Sequence, residues 1–589
     1  MKTKNLIYIL LFPFLITGQE EEKFIIKGQV TNAITQTPLS NVNLICNETG
    51  TITNKNGMYR LRLNMSPNTT IQLIASHQGY KNDTIFIDLE NFNTIIKNDI
   101  QLQEISTSLQ EIDLTENKSR QQGVTKIDPK IINKLPTTTG GIEPIIKLLP
   151  GVSSNNELSS QYSVRGGNYD ENLIYVNGIE IYKPFLVRNG EQEGLSFINP
   201  NMISSIEFSS GGFQAKFGDK LSSVLDIEYK KPKANTISLD ASFLGISINI
   251  EGYTQKQKHK FSYLVGSRIR SNNFLFNSLD TKGDYKPLFK DFQAYLTYTH
   301  QDYPKWEFSL LNYYSQNKYE MIPQNREAKF GTIQEALQLT IYFEGKEVDN
   351  YETLLSAMSS EYQPNNLLNL KFTSSFFQTK EQEFYDVLGE YWLGELDNNI
   401  GSNQLGEVVF NRGIGAYMNH ARNVFNANVF NLYHDGTYII NSDGGSAEWG
   451  FKYQIENIED EIREWVMVDS AGYSISPINN NNLNLFEFRS GNSSITSNRI
   501  SSYAQLSNSF NINNTDIFYA AGTRLNYWDF NSELFISPRG MISIKPEWKK
   551  DWVFNLACGS YNQSPFFKEY RSQTGELNNN IKSQKSLHY

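Results

Sequence analysis

The sequence is poor in cysteine. Its 589 residues include only Cys46 and Cys558, which lie far apart. A framework of disulfide bonds needs several cysteines in a compact chain, so disulfides are not what holds this protein together. The chain is also too long for one ordinary hydrophobic core, and several domains are expected.

The patterns of enzymes and of nucleic-acid-binding proteins are missing as well. The six histidines form no HExxH pattern, and neither a GxSxG nucleophile motif nor a phosphate-binding loop is present. The net charge is −10, and there is no long run of lysine and arginine, whereas nucleic-acid binding needs a clustered basic surface. The sequence therefore predicts no enzyme, no bound metal, no cofactor and no nucleic-acid partner.

Beyond its N-terminus the chain has no apolar run long enough for a membrane-spanning helix. Lys2 and Lys4 precede an apolar run from Leu6 to Ile16, which is about half of the ~20 residues that a spanning helix needs. We interpret residues 1–18 as a signal peptide for export. Only helices and closed barrels satisfy every backbone group in lipid, so such a chain can cross a membrane only as a closed β-barrel.

Aromatic residues and short alternating runs are abundant instead. Residues 24–102 hold about seven short strands, which predicts an immunoglobulin-like sandwich, and Asn56-Gly57 predicts a type I′ hairpin turn within it. The segments KGQVTNAITQTPLSNVNL and TNKNGMYRL resemble the carboxypeptidase-regulatory-like domain of Bacteroidetes surface proteins. That resemblance implies a prealbumin-like β-sandwich and no peptidase activity.

Residues 135–232 carry glycine-rich motifs in a fixed order. GIEPIIKLLPGV predicts a short helix over 140–152 that ends at a proline-glycine breaker. SVRGG, LIYVNGI, ISSIEF, GGF and FGDKLSSVLDI follow. The whole series resembles the plug domain of TonB-dependent outer-membrane receptors, and its last part resembles a Bacteroidetes subgroup of them. The resemblance implies a mixed α+β plug.

The same resemblance picks out the plug-motif residues of this chain. They are Arg165, Gly166, Gly167, Asn177, Gly178, Gly211, Gly212 and Gly218. Asn177 stands where the family usually has aspartate. We expect the glycines to let the plug turn tightly and pass close to a barrel wall. Arg165 is either a charge that ties the plug to the barrel interior or an ordinary ion-paired arginine, and the sequence leaves both open.

The linker of residues 103–134 contains a short alternating segment. It consists of Leu109, Gln110, Glu111, Ile112, Asp113 and Leu114. An extended segment of this kind can add a strand to the edge of a partner's sheet. By pattern alone, a plain linker or a last strand of the sandwich explains it more simply. The resemblance implies a TonB box at this place, with TonB and its inner-membrane energising complex as partner.

Residues 235–589 alternate amphipathic runs with stretches rich in Asn, Gly and Ser. One predicted hairpin runs over 291–300 and returns through Trp306, with apolar residues on one face and polar residues on the other, as in an antiparallel transmembrane β-barrel. Segments 312–362 and 385–418 are expected to be extracellular loops, the usual place for ligand contacts. The substrate-binding residues themselves are not predicted.

The length of this last segment falls short of a complete receptor. At about 25 residues for each strand with its loop, it holds roughly 14 strands, against the 22 of plugged outer-membrane transporters. We therefore expect a truncated barrel in which Tyr589 is an accidental stop and the open edges are unsatisfied in lipid.

Taken as a resemblance, the chain is a mainly β protein of the cell outer membrane, with its N-terminal domain and linker in the periplasm. The implied function is TonB-dependent uptake of a scarce small ligand such as a siderophore, oligosaccharide or peptide, in contact with outer-membrane lipid. The alternative is a secreted all-β adhesin or glycan-binding surface protein without transport.

Overall fold

A computed structural model divides the chain into two compact units, Met1–Thr115 and Glu116–Tyr589. The structure describes residues 22–33, 36–46, 49–66, 69–77, 80–89, 95–103, 123–132, 135, 141–154, 159–182, 197–273, 283–332, 334–440, 445–469, 485–565, 567–572 and 574–589. Among these residues, no helix has the length and apolarity that a membrane span requires.

The first unit is the expected β-sandwich. Its strands are β1 Glu22–Asn32, β2 Asn43–Cys46, β3 Thr49–Ile52, β4 Met58–Met65, β5 Thr69–Ser76, β6 Asp83–Leu89, β7 Ile95–Lys97 and β8 Ile100–Leu102. One sheet contains β4, β1, β7 and β8, and the other has the order β3-β2-β5-β6. Every second residue is buried, as in Phe24, Ile26, Leu61 and Leu73, so the inner faces of both sheets form one apolar core.

The predicted hairpin at Asn56-Gly57 is wrong. Gly57 has a positive φ of 70°, but Asn56 does not, and β4 pairs with β1 rather than with the strand before it. The turn carries the chain from one sheet to the other. An Asn-Gly pair signals a tight turn, but the pairing of the flanking strands is decided by which core they enter.

The plug region of the second unit is a small mixed sheet with short connecting turns. Its elements are β9 Thr125–Ile127, α1 Glu143–Ile146, β10 Val152–Ser153, β11 Ser163–Val164, β12 Asn172–Val176, β13 Ile179–Glu180, β14 Ile203–Ser209 and β15 Ser223–Tyr229, with 3-10 turns at Pro129–Ile131, Tyr169–Glu171 and Pro200–Met202. The main sheet has the order β13-β12-β15-β14-β9, in which only β12 and β15 run parallel.

Helix α1 is shorter than the sequence predicts. It covers four residues, begins with Pro144 in its first turn, and leaves Leu148 72% exposed. Proline is favoured at the start of a helix and the Pro150-Gly151 pair stops it soon after, so only about one turn remains.

The rest of the second unit is one large antiparallel sheet. Its strands are β16 Thr236–Ser242, β17 Gly245–Lys256, β18 His259–Arg270, β19 Gly283–Tyr285, β20 Leu288–His300, β21 Tyr303–Pro323, β22 Arg326–Gly331, β23 Ala336–Asn365, β24 Leu368–Leu396, β25 Val408–Ile439, β26 Ser446–Asp469, β27 Glu487–Ile512, β28 Thr515–Trp528, β29 Glu533–Pro546, β30 Phe554–Gln563 and β31 Gln584–His588. A 3-10 turn at Phe567–Tyr570 lies between β30 and β31. Fourteen of the strands neighbour one another in chain order, from β16 to β31, and β19 and β22 pair at the side. Within the described residues, β16 and β31 do not pair with each other, so the barrel is not closed.

The faces of this sheet are the reverse of those in a soluble sandwich. On β17, Ser247 and Asn249 are buried, whereas Ile246 and Ile248 are 57% and 41% exposed. Gln293 on β20 is also buried. An apolar outer face and a polar inner face are what a sheet facing lipid outside and a lumen inside requires.

The expectation of loops over 312–362 and 385–418 is wrong. These segments lie largely in β21, β23, β24 and β25, and the last three strands are 30, 29 and 32 residues long. A strand needs only about 9–11 residues to cross a membrane, so these hairpins continue well beyond that length. Their distal parts do not alternate strictly, since Val408, Val409 and Phe410 follow one another and Gly389 and Gly394 interrupt β24, which is why the pattern does not mark them as strands.

The two ends of the sheet differ. Two-residue turns join β17 to β18, β20 to β21, β23 to β24 and β27 to β28 at one end, and the longest connections, such as 397–407, lie at the opposite end, where a two-residue turn also joins β16 to β17. In outer-membrane barrels the short turns are periplasmic and the longer loops extracellular. We call these the short-turn end and the long-connection end.

Candidate functional site: contacts between the plug and the sheet

The large sheet curves around the plug, because plug residues contact strands from one side of it to the other. Asn199 donates to Asn249 on β17 at 2.9 Å, and the backbone N–H of Gly212 donates to His588 on β31 at 3.3 Å. Between these two, the contacts described below reach β18, β20, β24, β26, β28 and β29. The candidate functional site is therefore the polar contact surface between a plug and the inner wall of a sheet.

On the side of β18 and β20, the sheet holds the plug through a buried ion pair. Arg268 and Asp291 lie opposite each other on these strands, and 2% and 0% of their side chains are exposed. Arg268 also donates to the plug carbonyl oxygen of Ile198 at 3.0 Å. The pair thus satisfies its own charges and also supplies a donor to a plug backbone carbonyl.

A second contact on this side uses a tyrosine of the plug. The hydroxyl of Tyr229 donates to Gln293 at 2.6 Å, and Gln293 in turn donates to the carbonyl oxygen of Phe197 at 2.7 Å. The ring of Phe197 packs against Tyr313 with 4.1 Å between centroids. This side therefore combines hydrogen bonds with apolar packing.

On the side of β26 and β28, the plug is joined to the sheet by two ion pairs. Glu180 of β13 contacts Lys452 at 2.6 Å, and Asp219 contacts Arg524 at 2.9 Å. Burial raises the pKa of the Glu180 carboxyl, but the Lys452 ammonium more than offsets this and holds that pKa below its usual value. Burial and the Arg524 guanidinium oppose each other at Asp219 in the same way, and its pKa is also lowered. Both acids are therefore ionised partners.

Arg539 on β29 forms hydrogen bonds with the turn that follows β14. Its guanidinium donates to the carbonyl oxygens of Gln214 and Phe217 at 2.9 Å each and lies over the ring of Tyr561 at 4.2 Å. The Tyr561 hydroxyl donates to the carbonyl oxygen of Phe213 at 2.9 Å. Arginine suits this position because its flat cation can stack on a ring while it donates sideways.

The predicted plug hairpin at Asn177-Gly178 is present. Both residues have positive φ, 52° and 73°, and they join β12 to β13 as a two-residue type I′ turn. The Asn177 side chain accepts from the backbone N–H of Tyr229 at 2.8 Å, and its carbonyl oxygen accepts from Lys371 on β24 at 2.6 Å. An asparagine fits because it tolerates the left-handed region and supplies the same acceptor as the aspartate of the family.

The other plug-motif residues are near this contact surface or turn the chain toward it. Arg165, Gly166, Gly211 and Gly212 all have positive φ. A Cβ on Gly212 would lie 2.8 Å from the Cβ of Ala557 on β30, so this glycine lets the plug touch the sheet. Gly167 and Gly218 lie beside Ser222 and the Tyr175 hydroxyl, respectively.

Arg165 makes its hydrogen bond within the plug. It is exposed and donates to Ser210 at 3.5 Å. Among the described residues the structure gives Arg165 no ion pair to the sheet, where Lys452 and Arg524 pair with plug acids instead. The candidate TonB box, Leu109 to Leu114, lies outside the described residues.

Two cavities lie between the plug and the sheet. The larger, of about 460 Å³, borders β12 and β15 and reaches Glu307, Glu361 and Asn369 near the short-turn end. The smaller, of about 90 Å³, borders β13 and reaches Asn526 and Ser564 near the long-connection end. Space for ligand or water therefore exists on both sides of the plug's ion pairs with β26 and β28.

The four residues of these ion pairs were not predicted from the sequence. Asp219 follows Gly218 within the FGDK motif, so the motif itself contained a signal for it. Lys452 and Arg524 gave none, because their partners are 272 and 305 residues away. Among the described residues, no group of three or more His, Cys, Asp or Glu side chains is placed to hold a metal.

Comparison with known families assigns two segments of the chain. Residues 116–223 match the model of the TonB-dependent receptor plug domain. This segment is similar to a TonB-dependent receptor plug. Residues 26–113 match the carboxypeptidase-regulatory-like domain. The resemblance drawn from the sequence is confirmed for both segments, and the matched models and structures are those of receptors and transporters rather than enzymes.

Solved structures with a similar fold include several receptors and transporters, and no curated protein matches the chain. The ferric citrate transporter FecA in its unliganded form is 11% identical, with a TM-score of 0.44 over 76% of this chain and 64% of FecA. BauA, the ferric preacinetobactin receptor from Acinetobacter baumannii, is 11% identical, with a TM-score of 0.46 over 79% and 67%. The RagAB peptide transporter is 10% identical, with a TM-score of 0.43 over 80% and 63%. This chain thus spans about two thirds of the length of these structures, and the likenesses bear on neither cargo nor mechanism.

Proposed function

We propose that the protein is an outer-membrane TonB-dependent transporter, which takes up a scarce ligand with energy delivered by TonB. One observation carries the proposal: a plug domain lies inside a curved antiparallel sheet whose outer face is apolar and whose inner face is polar. A plug inside such a sheet has a purpose only if a ligand passes through the sheet and the plug can move to let it pass.

The polar contacts between the plug and the sheet are compatible with movement of the plug. The ion pairs and hydrogen bonds described above lie beside an apolar cluster that joins the plug to Leu264, Leu311 and Phe377 of the sheet, and the polar contacts are the part of this surface that water can replace. A buried ion pair adds little net stability, because the desolvation of both charges offsets their attraction. Water can replace these partners once the plug moves, so the contacts hold one arrangement without making it irreversible.

The N-terminal end of the plug is attached to the plug sheet by a short edge strand. Strand β9 is an edge strand that pairs with β14 through three residues, Thr125, Lys126 and Ile127. A pull on the linker before it reaches β9 first. We infer that β9 is the first strand to detach, and that its loss exposes the edge of β14.

TonB is the proposed source of that pull. The segment Leu109 to Leu114 is the proposed TonB box, which would pair with TonB by strand addition in the periplasm. Ligand binding from the outside would favour TonB capture only if the ligand has a different affinity for the two plug states. The ligand class stays open among siderophores, oligosaccharides and peptides, and no cofactor is required.

The alternative is a secreted adhesin without transport. It is disfavoured by the apolar outer face of the sheet, which a secreted protein would expose to water. Heat-modifiable mobility of the membrane fraction in a denaturing gel separates the two, because a closed membrane barrel resists unfolding until heated. An adhesin would show no shift and would appear in the medium.

Deletion of residues 109–114 tests the transport proposal. We expect the deleted protein to reach the outer membrane in normal amount while TonB-dependent growth on the limiting nutrient is lost. Growth that persists with the deletion, at equal receptor abundance, would show that this segment does not couple the receptor to TonB.

A further inference from the structure

The two cavities beside the plug are separated by the ion pairs that join the plug to β26 and β28. Lys452 and Ser501 line both cavities. Glu180 and Asp219 line only the smaller one, whereas Arg524 lines only the larger one. The partition therefore passes through these five residues, which we call the septum.

Hydrogen bonds connect the septum into one layer. Arg524 contacts Asp219 at 2.9 Å and donates to the Ser501 hydroxyl at 3.1 Å. Lys452 contacts Glu180 at 2.6 Å and lies over the ring of Tyr433 at 5.2 Å. In each ion pair the acid belongs to the plug and the base to the sheet. Movement of the plug hairpin or of the turn at Asp219 would therefore break the layer without moving the sheet.

The septum differs from the ion pair on the opposite side of the plug. Arg268 and Asp291 both belong to the sheet and are shielded from solvent, so plug movement does not separate them. The four ion-paired side chains of the septum are 6–21% exposed, because they border the cavities. Strands β17 and β18 contribute no residue to the lining of either cavity. These observations place the separable contact along β26 and β28.

We propose that the septum is a gate, and that its opening joins the two cavities into a route along β26–β28 while the plug stays inside the sheet. This inference rests on the proposed transport function and deepens it. Opening is physically inexpensive because the charges that separate become hydrated by the merged cavities rather than stranded in an apolar medium. The route runs from Ser564 and Asn526 at the long-connection end to Glu307 and Glu361 at the short-turn end.

Conductance of KCl through the full-length receptor in planar bilayers tests the gate without TonB or cargo. The test variant carries Glu180→Ala and Asp219→Ala, which remove the plug half of the septum. The matched control is Lys230→Ala, which removes a plug–sheet ion pair to Glu251 outside both cavities. We expect the open fraction of the test variant to rise by about tenfold over wild type, which corresponds to ~1.4 kcal/mol, and the control to match wild type.

A cysteine at position 501, which lines both cavities, tests whether the added conductance follows the proposed route. In the test variant, Ser501→Cys treated with a methanethiosulfonate ammonium reagent should lose most of its added conductance. The same variant with Ser501 intact retains the native exposed Cys558 and should be unaffected by the reagent.

Three results would overturn the gate. The test variant could stay closed, it could conduct no more than Lys230→Ala, or its conductance could be unchanged by modification of a cysteine at position 501. Heat-modifiable mobility of each variant distinguishes these outcomes from failure of the proposed function, since a protein that forms no membrane barrel shows no shift in any variant.

Discussion

Arg268 and Asp291, 23 residues apart on adjacent strands, form an ion pair from which solvent is almost entirely excluded. Substitution Asp291→Asn should leave Arg268 buried without its counter-charge and destabilise this region by about 3–5 kcal/mol. Hydrogen exchange of plug residues 197–209 in the intact receptor measures the loss, because Arg268 caps the carbonyl oxygen of Ile198.

The matched control for that substitution is the exposed pair Lys258–Asp302, whose side chains are 61% and 47% exposed. Asp302→Asn should change stability by no more than ~1 kcal/mol, as exposed pairs usually do. Equal effects of the two substitutions would contradict the structural role given to Arg268.

The turn residue Asn177 should be sensitive to loss of its side-chain acceptor. Asn177→Ala loses the hydrogen bond from Tyr229 and puts alanine, which tolerates the left-handed region less well than asparagine, at a positive φ; together these cost roughly 2 kcal/mol. Asn177→Asp keeps the acceptor and should be tolerated. Hydrogen exchange of β12 and β15 is the measurement.

Asn513 provides the control for this turn, because it also has a positive φ, 47°, and joins β27 to β28. Asn513→Ala should perturb that turn and leave exchange in β12 and β15 unchanged. If Asn177→Ala left hydrogen exchange in β12 and β15 unchanged, as Asn513→Ala should, the hydrogen bond from Tyr229 to Asn177 would not stabilise the plug.

Asp226 of β15 makes plug stability depend on pH. Burial raises the pKa of its carboxyl from the ordinary 3.8 to about 6. The folded plug therefore binds a proton more readily than the unfolded chain. This contribution to stability is complete below about pH 4 and is lost as the pH rises through about 6.

Substitution Asp226→Asn should remove this dependence, because the amide resembles the protonated acid. At neutral pH the variant should be more stable than wild type by up to ~3 kcal/mol, from a shift of about two pKa units. At pH 4 the two should be alike. Urea denaturation of the plug in the intact receptor, at both pH values, decides the matter, and a variant that is less stable at neutral pH would contradict the account.

The sequence predicted the plug and its turns because those depend on local chemistry. Asn177-Gly178 requires positive φ at adjacent residues, and Gly212 requires the absence of a side chain, so both leave a mark on the sequence. Lys452 and Arg524 leave none, since each is an ordinary lysine or arginine in its own segment and its plug partner lies more than 250 residues away.

The long hairpins of β23, β24 and β25 were misread for a related reason. In their distal parts the apolar residues do not keep a period of two, as at Val408, Val409 and Phe410, so the alternation that marks a half-buried strand is missing. Their cross-strand pairing, rather than burial of one face, keeps them extended. Such pairing is visible only when both strands are placed.

Capture of the full-length receptor by the immobilised periplasmic domain of TonB tests the central claim most directly. Wild type should be retained, the receptor that lacks residues 109–114 should not, and a receptor that lacks the six linker residues 116–121 should be retained like wild type. Equal retention of all three proteins, or of none, would contradict the proposal that this chain is a transporter coupled to TonB through residues 109–114.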